Sequence, residues 1–362
     1  MKQQEPGFRG GLTWSADWPH EPPALVELAS PAWPATAQAP PSQAQPLPPG
    51  DLSALVDVLT RTGLRVARWP SPDLLGQLHQ ALRRPVDTLV CCAMDSDPPL
   101  RLNAIVAHHR AVGLARGLAA LSRATGAGRA LVVVEAGAPG AWTAPVEKAV
   151  EKETATIVQI PHRYPQTDPT LLLWSLTGRT LRPGRLPTEQ GAIVVDAPAA
   201  AAVGHIAENG TAPWRVPVAV SDHRRHKSGF FLIPTGARLI EVLHAAGAPT
   251  EQAVVLAGDR LRQNAIPLDA ALGQRELTLH VMAPSEAVVP DPCIRCTWCA
   301  EHCPVSIHPA ELLEAAQESD PDLARWHALG SCIGCGVCSA VCPSRLPLWP
   351  AIRGLKEGME HG

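Results

Sequence analysis

The sequence predicts a multidomain chain of mixed α/β and α+β class, closed by a cysteine-rich module. Three observations carry this. Short apolar strands alternate with helical stretches over residues 51–212, a smaller set of strands surrounds a single helix over 213–290, and eight of the ten cysteines fall between Cys293 and Cys342. The length of 362 residues exceeds one ordinary domain.

Residues 1–50 precede the alternating pattern. Ten of the chain's 38 prolines lie between Pro19 and Pro49, with Trp14, Trp18 and Trp33 among Ala, Gln and Ser. Such a segment favours extended conformations over helix. It reads as an extended arm packing its tryptophans on a domain, or as a disordered linker.

From Asp51 an N-cap and helical spacing give a first helix. A buried strand follows over 88–93, then one long helix over 103–122 with Val106, Leu114, Leu118 and Leu121 on its apolar side, ending near Gly126 and Gly128. A strand from Leu131, a helix over 144–152, a strand over 156–160 and a strand from Ala192 complete the first domain. This alternation implies a mainly parallel, Rossmann-like sheet covered on both faces, whose ligand crevice lies at the carboxyl ends of its strands. Cys91 and Cys92 belong to the first strand as buried residues. In the second domain, 215–220, 229–233 and 253–256 read as strands and 237–245 as a helix. Helices over 311–318 and 323–329 belong to the last module.

The cysteines carry the chemistry. Cys293, Cys296, Cys299 and Cys303-Pro, then Cys332, Cys335, Cys338 and Cys342-Pro, repeat the bacterial-ferredoxin spacing, in which each run's fourth cysteine ligates the other cluster. The expectation is one [4Fe-4S] cluster on Cys293, Cys296, Cys299 and Cys342 and another on Cys332, Cys335, Cys338 and Cys303. Structural zinc normally uses two-cysteine knuckles or cysteine with histidine. Disulfides would need an oxidising compartment, and no signal-peptide pattern opens the sequence, so a reducing cytoplasm is expected.

A net charge of −3 without a basic stripe argues against nucleic acid. No apolar run reaches the length of a transmembrane helix. Membrane contact would run through partners.

An α/β domain, a small α+β domain and a paired-cluster module, in that order, resemble the C subunit of the Rnf membrane complex. The arrangement is also similar to the flavin subunit of respiratory complex I and to a cobalamin reductase. The resemblance rests on the cysteine runs and on ordered short matches: Phe8-Arg-Gly-Gly, Asp87-Thr-Leu-Val, Tyr164-Pro-Gln, Leu176-Thr-Gly-Arg, Leu186-Pro with Gly191, Pro234-Thr-Gly, and Cys342-Pro-Ser-Arg-Leu-Pro-Leu with Ile352-Arg and Lys356. It implies that 51–212 resembles an FMN/NADH-binding domain, that 213–290 is a β-grasp domain and that 291–362 is a helical dicluster ferredoxin module. It implies as partners the membrane subunits of an Rnf-like complex and a ferredoxin- or flavodoxin-type protein. The location it implies is peripheral, on the cytoplasmic face of the inner membrane.

Four stretches depart from the family. Val66-Ala-Arg-Trp-Pro-Ser-Pro stands in place of a glycine-rich loop that lets backbone approach phosphate. Asp95-Ser-Asp97-Pro replaces a glutamate pair and is either a retained site or a solvated loop. Thr167 and Pro169 replace glycine and glutamate, and Asp196 replaces asparagine beside the flavin. Asp95, Asp97 and Asp196 are thus degenerate flavin-site positions, and the departures argue against bound FMN and against NADH oxidation. The preferred reading is an electron-transfer iron–sulfur subunit. The alternatives are a flavin-dependent NADH or cobalamin reductase with an altered nucleotide site, and a non-catalytic cluster-bearing scaffold.

Smaller features have plainer readings. Gly126-Ala-Gly128 reads as a helix C-cap. The basic run 222–227 is a solvated hairpin or a docking surface for an acidic redox protein. His302 lies beside the ligand set or exposed, and Trp298, Trp326 and Trp349 pack around the clusters.

Overall fold

A computed structural model describes residues 2–3, 10–13, 17–30, 33, 46–62, 66–69, 71–96, 100–153, 155–275, 277–285 and 288–360. Asp97, Pro70 and Trp14 lie outside the described residues. Strands β1 (Lys2–Gln3) and β2 (Leu25–Glu27) come from the amino-terminal arm, which is followed by helices α1 (Leu52–Thr62) and α2 (Leu74–Ala81). Then come β3 (Thr88–Cys92), α3 (Leu102–His109), α4 (Ala111–Thr125), β4 (Arg129–Glu135), α5 (Gly140–Glu151), β5 (Thr156–Ile160), α6 (Pro169–Thr177), β6 (Ala192–Asp196) and α7 (Ala197–Asn209).

These strands form a parallel sheet in the order β1-β5-β4-β3-β6. Side chains alternate between its faces, as the strand period of two requires. Leu89, Cys91, Val132, Val134, Ile193 and Val195 enter one core with α1 to α5 and α7. Val90, Cys92, Leu131, Val133 and Val194 enter another beneath Leu172 and Leu176 of α6. Both faces are covered, as expected, and Cys91 and Cys92 are fully buried. Because β4 and β5 lie on one side of β3 and β6 on the other, the strand order reverses between β3 and β6. Their carboxyl ends therefore flank the crevice of a doubly wound sheet.

The expected long helix over 103–122 is two helices, broken at Arg110 (φ −119°, ψ 26°). Each half answers to different neighbours. Asp95 holds the start of α3 through the Asn103 and Ala104 backbone N–H groups at 2.7 and 3.1 Å. α4 lies against α7 so closely that a Cβ on Gly117 would strike the Ala200 carbonyl. Gly126 ends α4 in the left-handed region, as the C-cap reading requires.

The second sheet is built from β7 (Arg215–Asp222), β8 (Lys227–Pro234), β9 (Val254–Ala257), β10 (Asn264–Ala265) and β11 (Thr278–Met282), with α8 (Leu239–Ala245) after the β7–β8 hairpin. The order is β10-β9-β11-β7-β8-β2. β11 runs parallel to β7, the pairing that closes a β-grasp, and β2 adds a parallel edge beside β8. The described residues of the arm therefore pack on the two domains. Trp33 Nε1 donates to Glu241 at 2.9 Å, and Trp18 stacks edge-on against Trp142 beneath the Arg101 guanidinium. The basic run 222–227 is the hairpin turn. Arg224 forks onto Asp222 and Arg225 donates to the Gly247 carbonyl at 2.8 Å, so these two arginines bind their own domain.

The carboxyl-terminal module contains α9 (Trp298–Glu301), α10 (Pro309–Glu318), α11 (Pro321–Trp326), α12 (Val337–Ala340) and α13 (Leu348–Glu360), around a small core of Leu312, Ala315, Ala324, Leu348 and Ile352. Among the described residues no helix is long and apolar enough to cross a membrane.

Candidate functional site

The eight module cysteines form two sets. Cys293, Cys296, Cys299 and Cys342 line one cavity of about 190 Å³. Three contacts bring the distant Cys342 there: Asp291 N–H donates to Ser344 O at 3.0 Å, Ser344 Oγ to Pro292 O at 2.9 Å, and Arg345 Nη2 to Asp291 at 2.8 Å. These bonds clamp the 342–345 turn to the start of the first loop.

The second set is buried. Cys303, Cys332 and Cys338 pack in one buried cluster, and the Cys335 thiol lies near all three. That of Cys338 faces Cys332, Cys303 and, from the other set, Cys299. Each run's fourth cysteine thus stands with the other run's three.

Burial pushes the Cys338 thiol up to about 12 and the Cys335 thiol well above its ordinary value. Burial also raises Cys299, Cys303 and Cys332. Backbone N–H groups oppose it, from Ile307, Val305 and Ser306 onto Cys303 and from Gly334 onto Cys332 Sγ at 3.3 Å. Thiols buried this way stay protonated unless a positive body sits among them, and iron would supply one. Among the described residues no three His, Cys, Asp or Glu side chains close around a single ion. The cavity of about 190 Å³ lined by Cys293, Cys296, Cys299 and Cys342 has room for a four-iron cluster, and their thiol donors fit one.

The inner loop stands on the α/β domain. Ile333, Cys335 and Val337 pack with Tyr164 and Leu171. Tyr164 Oη donates to the Cys335 carbonyl at 2.5 Å, and Trp69 meets the Tyr164 ring edge-on at 5.7 Å. Arg262 of the β-grasp domain lies over Trp69, 3.6 Å from the ring centroid. The arm joins in where Gly11 N–H donates to His302 O at 2.7 Å and Leu12 pairs with Tyr164.

At the strand reversal a crevice of about 380 Å³ is lined by Arg68, Trp69, Asp95, Asp196, Arg262 and Arg275, among others. Asp196 closes β6 and caps α7 by accepting from Ala199 N–H at 2.9 Å. Arg68 forks onto it, Nε to Oδ2 at 2.6 Å and Nη2 to Oδ1 at 2.5 Å, and also donates to the Gln274 carbonyl. A buried ion pair therefore occupies ground where a flavin site needs open backbone. Thr167, which stands in place of a glycine, shares a hydrogen bond with Ser96 at 2.6 Å between the two hydroxyls. Asp95 is fixed as the cap of α3, and burial pushes its carboxyl up to about 8 against the Asn103 and Ala104 N–H groups and Arg101. The Arg68–Asp196 pair thus fills part of the crevice in which a flavin would lie.

Other expectations meet mixed outcomes. His302 Nδ1 engages Trp298 O at 2.9 Å. Trp349 packs against Gly334, but Trp298 is 50 % exposed and Trp326 84 % exposed, so neither is buried against a cluster. The short helices α9 and α11 leave those rings beyond the small module core. Arg262 and Lys356 emerge from the structure as neighbours of the inner loop. Lys356 stands out in the sequence only as a family match, and nothing local in the sequence marks Arg262.

The fold and the paired cysteine sets define a two-cluster iron–sulfur protein on a flavoprotein-type scaffold. Residues 76–205 match the Nuo51 FMN-binding domain and residues 292–346 the 4Fe-4S dicluster domain. The chain is similar to the C subunit of the ion-translocating oxidoreductase complex of Erwinia tasmaniensis, 28 % identical over 76 % of this chain and 35 % of that protein. It is similar to the corresponding subunit of Rhodobacter capsulatus, 26 % identical over 73 % and 51 %. The C subunit of the proton-translocating ferredoxin:NAD(+) oxidoreductase complex of Clostridium ljungdahlii is 24 % identical over 51 % and 41 %. The chain thus spans about a third to half the length of these relatives. An NAD+-reducing [NiFe]-hydrogenase chain in the H2-reduced state shares the fold, with TM-score 0.57 and 16 % identity over 90 % of this chain and 62 % of that one.

Proposed function

We propose that this chain is an electron-transfer iron–sulfur subunit. Its partners are the membrane subunits of an Rnf-like complex and a ferredoxin- or flavodoxin-type protein, and it sits peripherally on the cytoplasmic face of the inner membrane. One observation carries the reading: one module holds two four-cysteine sets, the inner buried against the crevice and the outer open to solvent. Cys293, Cys296, Cys299 and Cys342 are the ligands of one [4Fe-4S] cluster, and Cys332, Cys335, Cys338 and Cys303 those of the other. Such a cluster supplies one-electron exchange when bound, at a potential set by hydrogen bonds to sulfur and by exposure. The backbone N–H groups around Cys303 and Cys332 orient and stabilise thiolates. Ile333 and Val337 exclude water from the inner set, while exposed Ile294 and Trp298 offer a partner an apolar contact at the outer one.

The proposed division is an arm over 1–50, an α/β domain over 51–212, a β-grasp domain over 213–290 and the cluster module over 291–362. The Arg68–Asp196 pair supports a relay without its own flavin. The test is full-length protein purified anaerobically. It should hold about eight irons and eight sulfides, on the four-iron rule. It should lack flavin absorbance, and its clusters should accept electrons from dithionite but not from NADH. Stoichiometric FMN, or bleaching by NADH, would return the site to a flavin-dependent reductase.

A further inference from the structure

The two cysteine sets differ in the charges beside them. Lys356 of α13 reaches back over the inner loop, its Nζ donating to the Cys332 carbonyl at 2.6 Å. The Lys356 bond is to a carbonyl, so its charge is not cancelled by that partner. Arg262 is held over Trp69 and follows Leu261, whose carbonyl closes on Gly336 of the same loop; its charge is shared with Asp168, which accepts from the Trp69 N–H. At the outer set the arginines of the loop and of its clamp each face a carboxylate, Arg295 with Glu314 at 4.0 Å and Arg345 with Asp291 at 2.8 Å, and their side chains are 87 % and 58 % exposed. Exposed, paired charges act weakly through water, whereas partly buried ones act strongly.

One-electron reduction adds a negative charge to a cluster and its four thiolates. Burial disfavours that charge, and a fixed cation favours it. We propose that Lys356, with Arg262 beside it, raises the reduction potential of the inner cluster above what its burial alone would give. The inference rests on the two-cluster reading. Lys356 acts through charge, as a residue that sets potential rather than one that transfers anything.

The test is a redox titration followed by electron paramagnetic resonance on the full-length, cluster-loaded protein, with the inner signal assigned as the one missing from Cys303→Ala. Lys356→Gln should lower the inner potential by about 59 mV or more, the one-electron equivalent of a tenfold change in the reduced-to-oxidised ratio. It should leave the outer potential in place, and Lys356→Arg should restore the wild-type value. Arg262→Gln, which leaves the bond to the Cys332 carbonyl untouched, should shift the inner potential in the same direction. It serves as the test if Lys356→Gln loses the inner cluster. Eight irons with an unmoved inner potential in these variants would overturn the inference. Wild-type protein without two four-iron clusters would instead overturn the functional reading beneath it.

Discussion

The outer loop, Cys293 to Cys299, and the inner loop, Cys332 to Cys338, have the same spacing and the same backbone twist but opposite surroundings. Both use the left-handed region twice, at Arg295 and Thr297 in one and at Gly334 and Gly336 in the other. The return turns repeat the rule at Ser306 and Arg345. Outside the backbone the likeness ends. Ile294 is 66 % exposed and its counterpart Ile333 8 %, and half-exposed Trp298 corresponds to fully buried Val337. A Cβ on Gly336 would run into the Leu261 carbonyl, and one on Gly334 would come within 2.7 Å of the Trp349 ring. Thr297 meets solvent instead and bonds Glu301 through its hydroxyl at 2.8 Å. Cysteine spacing dictates the loop, and what packs outside decides whether a left-handed position must be glycine.

Disturbing the ground beneath the inner loop should cost most. Asp196→Asn leaves Arg68 charged in a site where the two side chains are only 8 % and 2 % exposed, a change that costs about 3–5 kcal/mol. Anaerobic denaturant unfolding measures it, and a loss below about 1 kcal/mol would mean that the pair is no structural plug. Next, Gly336→Val should cost about 2–4 kcal/mol from left-handed strain and overpacking, with loss of the inner signal. Thr297→Val at the outer counterpart should cost under about 1 kcal/mol, and equal losses would erase the distinction between the loops.

A smaller effect concerns pH at the crevice. Burial raises the folded-state value of Asp95 from 3.8 to about 8, so the folded protein binds the extra proton across that interval. Stability from this group is greatest at the acidic end, falls as pH rises through the interval and levels off above about 8. Melting temperatures of wild type and Asp95→Asn between about pH 5 and 9 should diverge in slope, with the variant flatter. Parallel curves would show that Asp95 ionises freely. Smallest of all, Trp326→Ser should change stability by less than about 0.5 kcal/mol and leave the spectra intact, since that ring lies mostly in water.

Much of this is legible in the sequence because it is local. The cysteine intervals locate both loops, apolar runs locate β3 to β9, and the loss of glycine around Arg68 signals an altered crevice. What escapes depends on distant partners. α7 is Ala-rich with apolar residues on nearly every side, and α6 carries Leu and Trp on all sides with only Thr170, Ser175 and Thr177 polar, so neither shows a helical stripe. β2 is three residues long and exists only by pairing with β8. The break at Arg110 follows from competing packing of α3 and α4, which a continuous helical period conceals. Arg68 and Asp196 are 128 positions apart, and only the fold joins them into an ion pair. A tryptophan near cysteines suggests packing, whereas the short helix that carries Trp326 turns its ring outward.

The most direct test of the account is whether the fourth cysteines cross over. Spectra of cluster-loaded Cys303→Ala, Cys342→Ala and Cys296→Ala should be compared under identical anaerobic reduction. Cys342→Ala should resemble Cys296→Ala, both losing the outer cluster's signal, while Cys303→Ala should lose the inner one and keep the outer. If Cys303→Ala matches Cys296→Ala instead, each run holds its own cluster and the exchanged, inner-and-outer arrangement is wrong.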